Sequence, residues 1–242
     1  MKILVIGETC KDVFNYGKVE RLCPEAPVPV FNLLHTVDNK GMAGNVADNL
    51  ISLGTDAELL TNYNWNEISK TRFIEKKTNH MFLRLDCNDD KYGKCDLSVV
   101  DYNLWDAIII SDYNKGFLSE EDIQTISVNH KLTFLDTKKP IGKWCENISF
   151  IKINNFELNK AKEITDKLHS KLIVTLGADG AKHKNRIYPV PRVEIKDLSG
   201  AGDTFISALA TKYVHTKDID IAIKFANECA TKVVQKAGVS II

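Results

Sequence analysis

The stretch Asp197-Leu198-Ser199-Gly200-Ala201-Gly202-Asp203-Thr204-Phe205 has the residue types and spacing best suited to chemistry. Two glycines flank one alanine, an acid follows at once, and apolar residues recur at Phe205, Leu209 and Tyr213. That spacing predicts a turn opening into a helix. The first N–H groups of such a helix have no preceding turn to bond, and with the positive end of the helix dipole they attract anions. Glycine lets a phosphate approach the backbone with no β-carbon in the way. Asp203 at the mouth of this cradle repels phosphate, so it needs another task, and accepting a proton from an attacking hydroxyl is one. Taken alone, Gly-Ala-Gly-Asp also reads as a loop with a helix cap.

Other candidates sit where apolar runs end. Ile3 to Ile6 is a short continuous apolar run closed by Gly7, as expected of a parallel strand buried on both faces, and Glu8 and Asp12 follow it. Ligands collect at the C-terminal edge of open α/β sheets, which makes Asp12 a candidate for a substrate hydroxyl, with a turn or cap aspartate as the other reading. Asp106 to Ile110 ends in Ser111-Asp112-Tyr113-Asn114-Lys115-Gly116, and Leu132 to Leu135 ends in Asp136-Thr137-Lys138. Ile148 to Ile153 ends in Asn154-Asn155-Phe156-Glu157, which reads equally as an asparagine-capped helix start. Leu172 to Leu176, including Thr175, runs into the tight turn Gly177-Ala178-Asp179-Gly180.

The repeated order of strand, polar strand end and helix argues for an α/β fold with a mostly parallel sheet flanked by helices. At 242 residues one domain is expected, spanning 1–242. Lysine plus arginine balances aspartate plus glutamate at 32 each, so no global field draws in nucleic acid or anionic lipid. The six cysteines (Cys10, Cys23, Cys87, Cys95, Cys145 and Cys229) form no Cys-x-x-Cys pair, which fits reduced thiols in a cytoplasmic protein. Neither a signal peptide nor a membrane span is expected. Three prolines between Pro24 and Pro29 exclude helix there. Lys40 to Leu50 leads through small residues into a helix with apolar Val46, Leu50 and Leu53, stopped by Gly54. Alternation over Arg72 to Lys76 and Met81 to Asp86 suggests a hairpin.

Asp-x-Ser-Gly-Ala-Gly-Asp before a helix near the C-terminus resembles the signature of the ribokinase-like (PfkB) carbohydrate kinases, with serine where threonine is commoner. Pro24-Glu25-Ala26-Pro27-Val28-Pro29-Val30, Arg84-Leu85-Asp86 and Ser111 to Gly116 look in particular like the heptose 7-phosphate kinases. The resemblance covers nearly the whole chain and implies a three-layer α/β/α fold with a small β lid built from segments near 15–40 and 72–87. It implies ATP and Mg2+, with a monovalent cation in some members, and phosphorylation of the anomeric hydroxyl of a heptose 7-phosphate. By resemblance Asp203 is the base, and Gly200, Ala201 and Gly202 form the anion hole. Asp12, Gly41, Asn45, Arg84 and Lys115 would bind the sugar, Lys115 as a point charge on its phosphate. Asn154, Glu157, Thr175, Gly177, Gly180, Asn227 and Gly238 would bind nucleotide, and Glu157 would act near the metal through water.

The sequence departs from the family at two places. Met42 stands where a second glycine is usual, with a glycine displaced to position 44, and a helix and strand expected near residues 62–71 are missing. The missing cover leaves room for a homodimer formed through the lid. Other readings are a different sugar or nucleoside kinase of the family, or a non-catalytic relative that binds nucleotide or sugar phosphate.

Overall fold

The structure is a computed structural model and describes residues 1–236, 238 and 241–242. In chain order its strands are β1 (Lys2–Gly7), β2 (Thr9–Leu22), β3 (Pro29–Met42), β4 (Asp56–Leu60), β5 (Ser69–Glu75), β6 (His80–Cys87), β7 (Ala107–Asp112), β8 (Thr133–Thr137), β9 (Phe150–Asn154), β10 (Leu172–Thr175), β11 (Ala181–His183) and β12 (Arg186–Tyr188). The helices are α1 (Ala43–Ser52), α2 (Glu120–Asn129), α3 (Asn155–Leu158), α4 (Asp166–His169), α5 (Ala201–Thr216) and α6 (Ile219–Val233).

Among the described residues the main sheet has eight strands in the order β12-β11-β10-β9-β8-β7-β1-β4. It is parallel from β4 to β10 and closes with the antiparallel β11–β12 hairpin. Its central strands β1 and β7 are buried on both faces because both are covered. Ile3, Val5 and Ile109 pack on one side against α1, α5 and α6, through Val46, Leu209 and Ile223 among others. Leu4, Ile6, Ile108 and Ile110 pack on the other against Ile123 and Ile126 of α2 and Leu168 of α4.

A second sheet, β3-β2-β5-β6, stands beside the first as a lid. The strands β2 and β5 run parallel, and the Arg72–Asp86 region forms the antiparallel β5–β6 hairpin. Asp12, expected in a loop after β1, instead lies within β2, because the chain resumes an extended course at Thr9 and alternates buried and half-buried side chains from there. On the lid's inner face the register aligns Asp12 with Lys70 and Lys70 with Asp86, and beside them Phe14 with Arg72 and Arg72 with Arg84. Among the described residues the main sheet ends at β4, and residues 61–68 turn directly into β5, without the further helix and strand that the sequence indicates are missing here.

Candidate active site

Asp203 lies in the first turn of α5, which begins after Gly200 in the left-handed region (φ 80°). The residue is 6% exposed. Oδ2 accepts from Asn45 Nδ2 at 2.8 Å and Oδ1 from Tyr113 Oη at 2.9 Å. Burial, reinforced by the nearby Asp136 carboxylate, pushes its pKa up to about 6, against the lowering effect of Asn45, Lys152 and Tyr113. Such a carboxyl exchanges protons near neutrality, where a general base works best. Asn45, assigned to the sugar by resemblance, is thus held on Asp203. A buried polar network fixes this: Asn49 Nδ2 donates to Asn45 O at 2.8 Å, Thr204 Oγ1 to Asn49 Oδ1 at 3.0 Å, and Ser207 Oγ to Val46 O at 2.9 Å. These bonds tie α1 to α5 and leave Asp203 little freedom.

Tyr113 reaches Asp203 from the loop after β7, and that loop is clamped by the fully buried Glu8, whose Oε2 and Oε1 accept from the N–H groups of Tyr113 (2.8 Å) and Lys115 (2.9 Å). Burial and the neighbouring Asp203 raise the Tyr113 pKa far above its usual range, so the phenol remains a donor.

Beneath the start of α5 sits Lys152, a 5%-exposed lysine in β9 that donates to Asp136 Oδ2 at 2.6 Å. A β-carbon on Gly202 would lie 2.7 Å from its Nζ, so glycine here keeps the ammonium against the helix N-terminus. Asp136 Oδ1 is buried without a hydrogen-bond partner. Lys138 pairs with Glu157 and lies 3.8 Å from Asp136; burial lowers its pKa, but the two carboxylates outweigh that and raise it. Asn154 and Glu157 form a reciprocal capping box at α3, so the capped-helix reading of this stretch is realised and one oxygen of Glu157 is committed to the backbone.

On the other side of the loop, Asp12 Oδ1 accepts from Arg72 at 2.7 Å. A β-carbon on Gly41 would meet Asp12 Oδ2 at 2.4 Å, the close approach that requires glycine there. Met42 next to it holds φ 59° and ψ −128°, a conformation natural to glycine, and its side chain is buried with Sδ accepting from Tyr92. Arg84 grips Asp86 through two bonds of 2.8 and 2.9 Å. Lys115 and Lys70 both pair with Asp89, to which Tyr92 Oη also donates at 2.8 Å.

A cavity of about 330 Å3 opens on the far side of α5, lined by Thr175, Gly177, Gly180, Val190, Phe205 and Asn227 among others, and it reaches Gly202. A mostly apolar slot of this size accepts a flat heterocycle. Asn227 Nδ2 donates to Tyr188 O at 2.8 Å on the wall of this region. Gly238 lies against the lid, where an added β-carbon would come within 3.0 Å of Tyr16 Oη.

The roles of Lys152, Asp136, Tyr113, Lys70 and Asp89 are not read from the sequence. A signal existed for Lys152, since a lysine between Ile151 and Ile153 in a buried parallel strand needs a partner and a reason. None existed for Lys70 and Asp89, whose meeting depends on the lid's fold.

Three comparisons place this geometry. Residues 98–242 match the model of the pfkB family carbohydrate kinase. The chain is 33% identical to the bifunctional protein HldE of Helicobacter acinonychis, over 98% of this chain and 63% of that protein, and 34% identical to HldE of Helicobacter pylori strain J99 over the same shares. It therefore spans less than two thirds of these relatives. The first alignment has 300 positions, whereas 98% of 242 residues is about 237, so about 60 positions of the relative have no counterpart here, in keeping with the missing helix and strand. Among solved structures it resembles ribokinase from Thermotoga maritima (TM-score 0.70, 16% identity, 98% of this chain and 94% of that one) and a nucleoside kinase of the ribokinase family from Methanocaldococcus jannaschii (0.69, 18%, 98% and 93%). The fold, the sequence matches and the family model agree: the chain belongs to the pfkB family of carbohydrate kinases.

Proposed function

We propose that this carbohydrate kinase transfers the γ-phosphoryl group of ATP to the anomeric hydroxyl of a heptose 7-phosphate, with Asp203 as general base. The observation that carries the reading is the position of Asp203, a buried carboxylate with a raised pKa between an apolar cavity suited to adenine and a lid face rich in paired charges. The acceptor hydroxyl gives its proton to Asp203, which Asn45 and Tyr113 hold in place. The N-terminus of α5 and the Lys152 ammonium stabilise the charge of the moving phosphoryl group. The heptose assignment draws on the Pro24–Val30 and Ser111–Gly116 stretches, and Lys115 suits a phosphorylated acceptor.

Magnesium in such kinases is held by one or two carboxylates together with phosphate oxygens and water. Asp136 Oδ1, which has no hydrogen-bond partner, fits that demand, and Glu157 would join it by giving up the Lys138 ammonium on Oε1, its Oε2 being held by the Asn154 N–H. When bound, the ion neutralises phosphate charge. No helix among the described residues is long and apolar enough to cross a membrane.

A panel of heptose 7-phosphate, fructose 6-phosphate, ribose and adenosine, each assayed for ADP release with ATP and magnesium, tests the assignment. Heptose 7-phosphate should give the highest kcat/KM. Faster turnover of ribose or adenosine would move the enzyme to another branch of the family, and no turnover of any acceptor would favour the non-catalytic reading that Met42 and the shortened β4–β5 connection suggest.

A further inference from the structure

Three donors converge on the carboxylate of Asp89: Lys70 Nζ and Tyr92 Oη on Oδ1, and Lys115 Nζ on Oδ2. Their supports are firm. Lys70 is 7% exposed within β5, Tyr92 is buried in the core, and Lys115 belongs to the loop that Glu8 clamps. The acceptor is placed differently, on the turn Asn88–Lys91 that follows β6, with Asn88 in the left-handed region (φ 56°). So the protein's framework fixes an arrangement of donors, and a side chain on a turn fills it.

The charges in this cluster do not cancel. Arg72 is matched by Asp12 and Arg84 by Asp86, which leaves Lys70 and Lys115 to share Asp89, with Asp86 3.6 Å from Lys70 as a secondary partner. Within these pairs four cations face three carboxylates, while Glu8, the next carboxylate, is held on the backbone N–H groups of Tyr113 and Lys115. Two ammonium groups that share one carboxylate gain when a more highly charged anion joins them. A carboxylate brings one charge and two oxygens. A phosphate monoester brings nearly two charges and three free oxygens, so it satisfies two ammonium groups and a phenol better than Asp89 does. The cluster also adjoins the proposed reaction centre, since Lys115 is two residues from Tyr113, which donates to Asp203.

We propose that Lys70, Tyr92 and Lys115 form the subsite for the phosphate already carried by the acceptor sugar, and that Asp89 occupies it as an internal counter-ion which the incoming phosphate displaces. This rests on the reading of the enzyme as a sugar-phosphate kinase, and it adds Lys70 and Asp89 as residues that select phosphorylated over unphosphorylated acceptors. Asp89 then raises the threshold for binding: an acceptor without a phosphate leaves the two lysines paired with Asp89 and gains nothing from them.

The test is calorimetric binding of three probes, heptose 7-phosphate, the same heptose without phosphate, and inorganic phosphate, to the full chain and its variants. Asp89→Asn removes the competitor and should tighten both phosphate-bearing probes about fivefold or more while leaving the unphosphorylated heptose unchanged. Lys70→Met keeps the aliphatic stem in its buried place and should weaken the same two probes about tenfold or more, the usual scale for one charge-assisted contact. If Lys70→Met does not fold, the half-exposed Lys115→Met carries the same expectation. Weaker phosphate binding by Asp89→Asn would overturn the displacement, and equal losses for both forms of the heptose in the lysine variants would overturn the subsite. Should inorganic phosphate respond as expected while heptose 7-phosphate is not turned over, the subsite stands and the acceptor assignment fails.

Discussion

Replacing Asp203 by asparagine separates what the residue does from what it costs the fold. In the folded chain burial, with the Asp136 carboxylate nearby, lifts the Asp203 pKa from 3.8 to about 6. Each unit corresponds to about 1.4 kcal/mol, so keeping Asp203 ionised at pH 8 destabilises the native state by on the order of 3 kcal/mol relative to the unfolded chain. The folded pKa is the raised one. The stability tied to this proton is therefore fully present below about pH 4 and is lost as pH rises through about 6. Asparagine carries no charge and escapes that loss, but it turns one acceptor oxygen into an amide group facing a donor, either Asn45 Nδ2 or Tyr113 Oη, at a cost of about 1 kcal/mol. The variant should be more stable than the wild type by about 2 kcal/mol at pH 8, several degrees in Tm, with the difference closing near pH 4.5. Turnover should fall roughly a hundredfold or more. Thermal melts across pH 4.5 to 8, run beside ADP release at pH 8, read both effects. A variant less stable than wild type at pH 8, or a difference that does not shrink with acid, would refute the buried, ionised carboxylate.

The remaining expectations follow from the same geometry. With Asp203 active as the ionised base, kcat/KM should rise with pH through about 6 and level off above it; a profile flat from pH 5 to 8 would assign the proton elsewhere. Gly202→Val drives a β-carbon onto Lys152 Nζ and should weaken ATP about tenfold or more, measured by nucleotide binding, while the acceptor's affinity holds. At Met42, where φ is 59°, glycine should be more stable than alanine by about 1 kcal/mol, the reverse of the usual order, and melts of Met42→Gly and Met42→Ala decide it. Leu83 (55% exposed) and Leu85 (49%) alternate with Arg84 and Asp86 and so lie on the lid's outer face, which we expect to join two copies. Sedimentation should give a dimer that Leu83→Glu dissociates, and a wild-type monomer at every concentration would remove the idea.

Legibility in the sequence tracked the range of the interactions. Ile3 to Ile6 and Ala107 to Ile110 announce buried parallel strands because each run is continuous, and the glycine-rich start of α5 is written in nine adjacent residues. The start of α1 was legible too, but the hydrogen bond from Asn45 to a residue 158 positions away was not. Asp12 does not read as a strand residue because its polar neighbours Lys11 and Asn15 obscure the period-two pattern of β2. The pairing of Lys70 with Asp89 depends on the parallel match of β5 to β2 and on the turn after β6, neither of which any local pattern records. The starts of α2 and α6 do carry local signals, the Ser119–Asp122 capping box and the Asp218 cap, whereas the pairing of the short strands β11 and β12 depends on the sheet edge.

In the proposed reaction this chain phosphorylates a sugar phosphate at its anomeric hydroxyl, with Asp203 taking the proton. Phosphorus-31 NMR of heptose 7-phosphate incubated with ATP, magnesium and the protein tests it most directly. Wild type should give a new phosphate resonance coupled to the anomeric proton, growing in step with ADP, and Asp203→Asn almost none; no new resonance with wild type, or an equal one with the variant, would rule the reaction out.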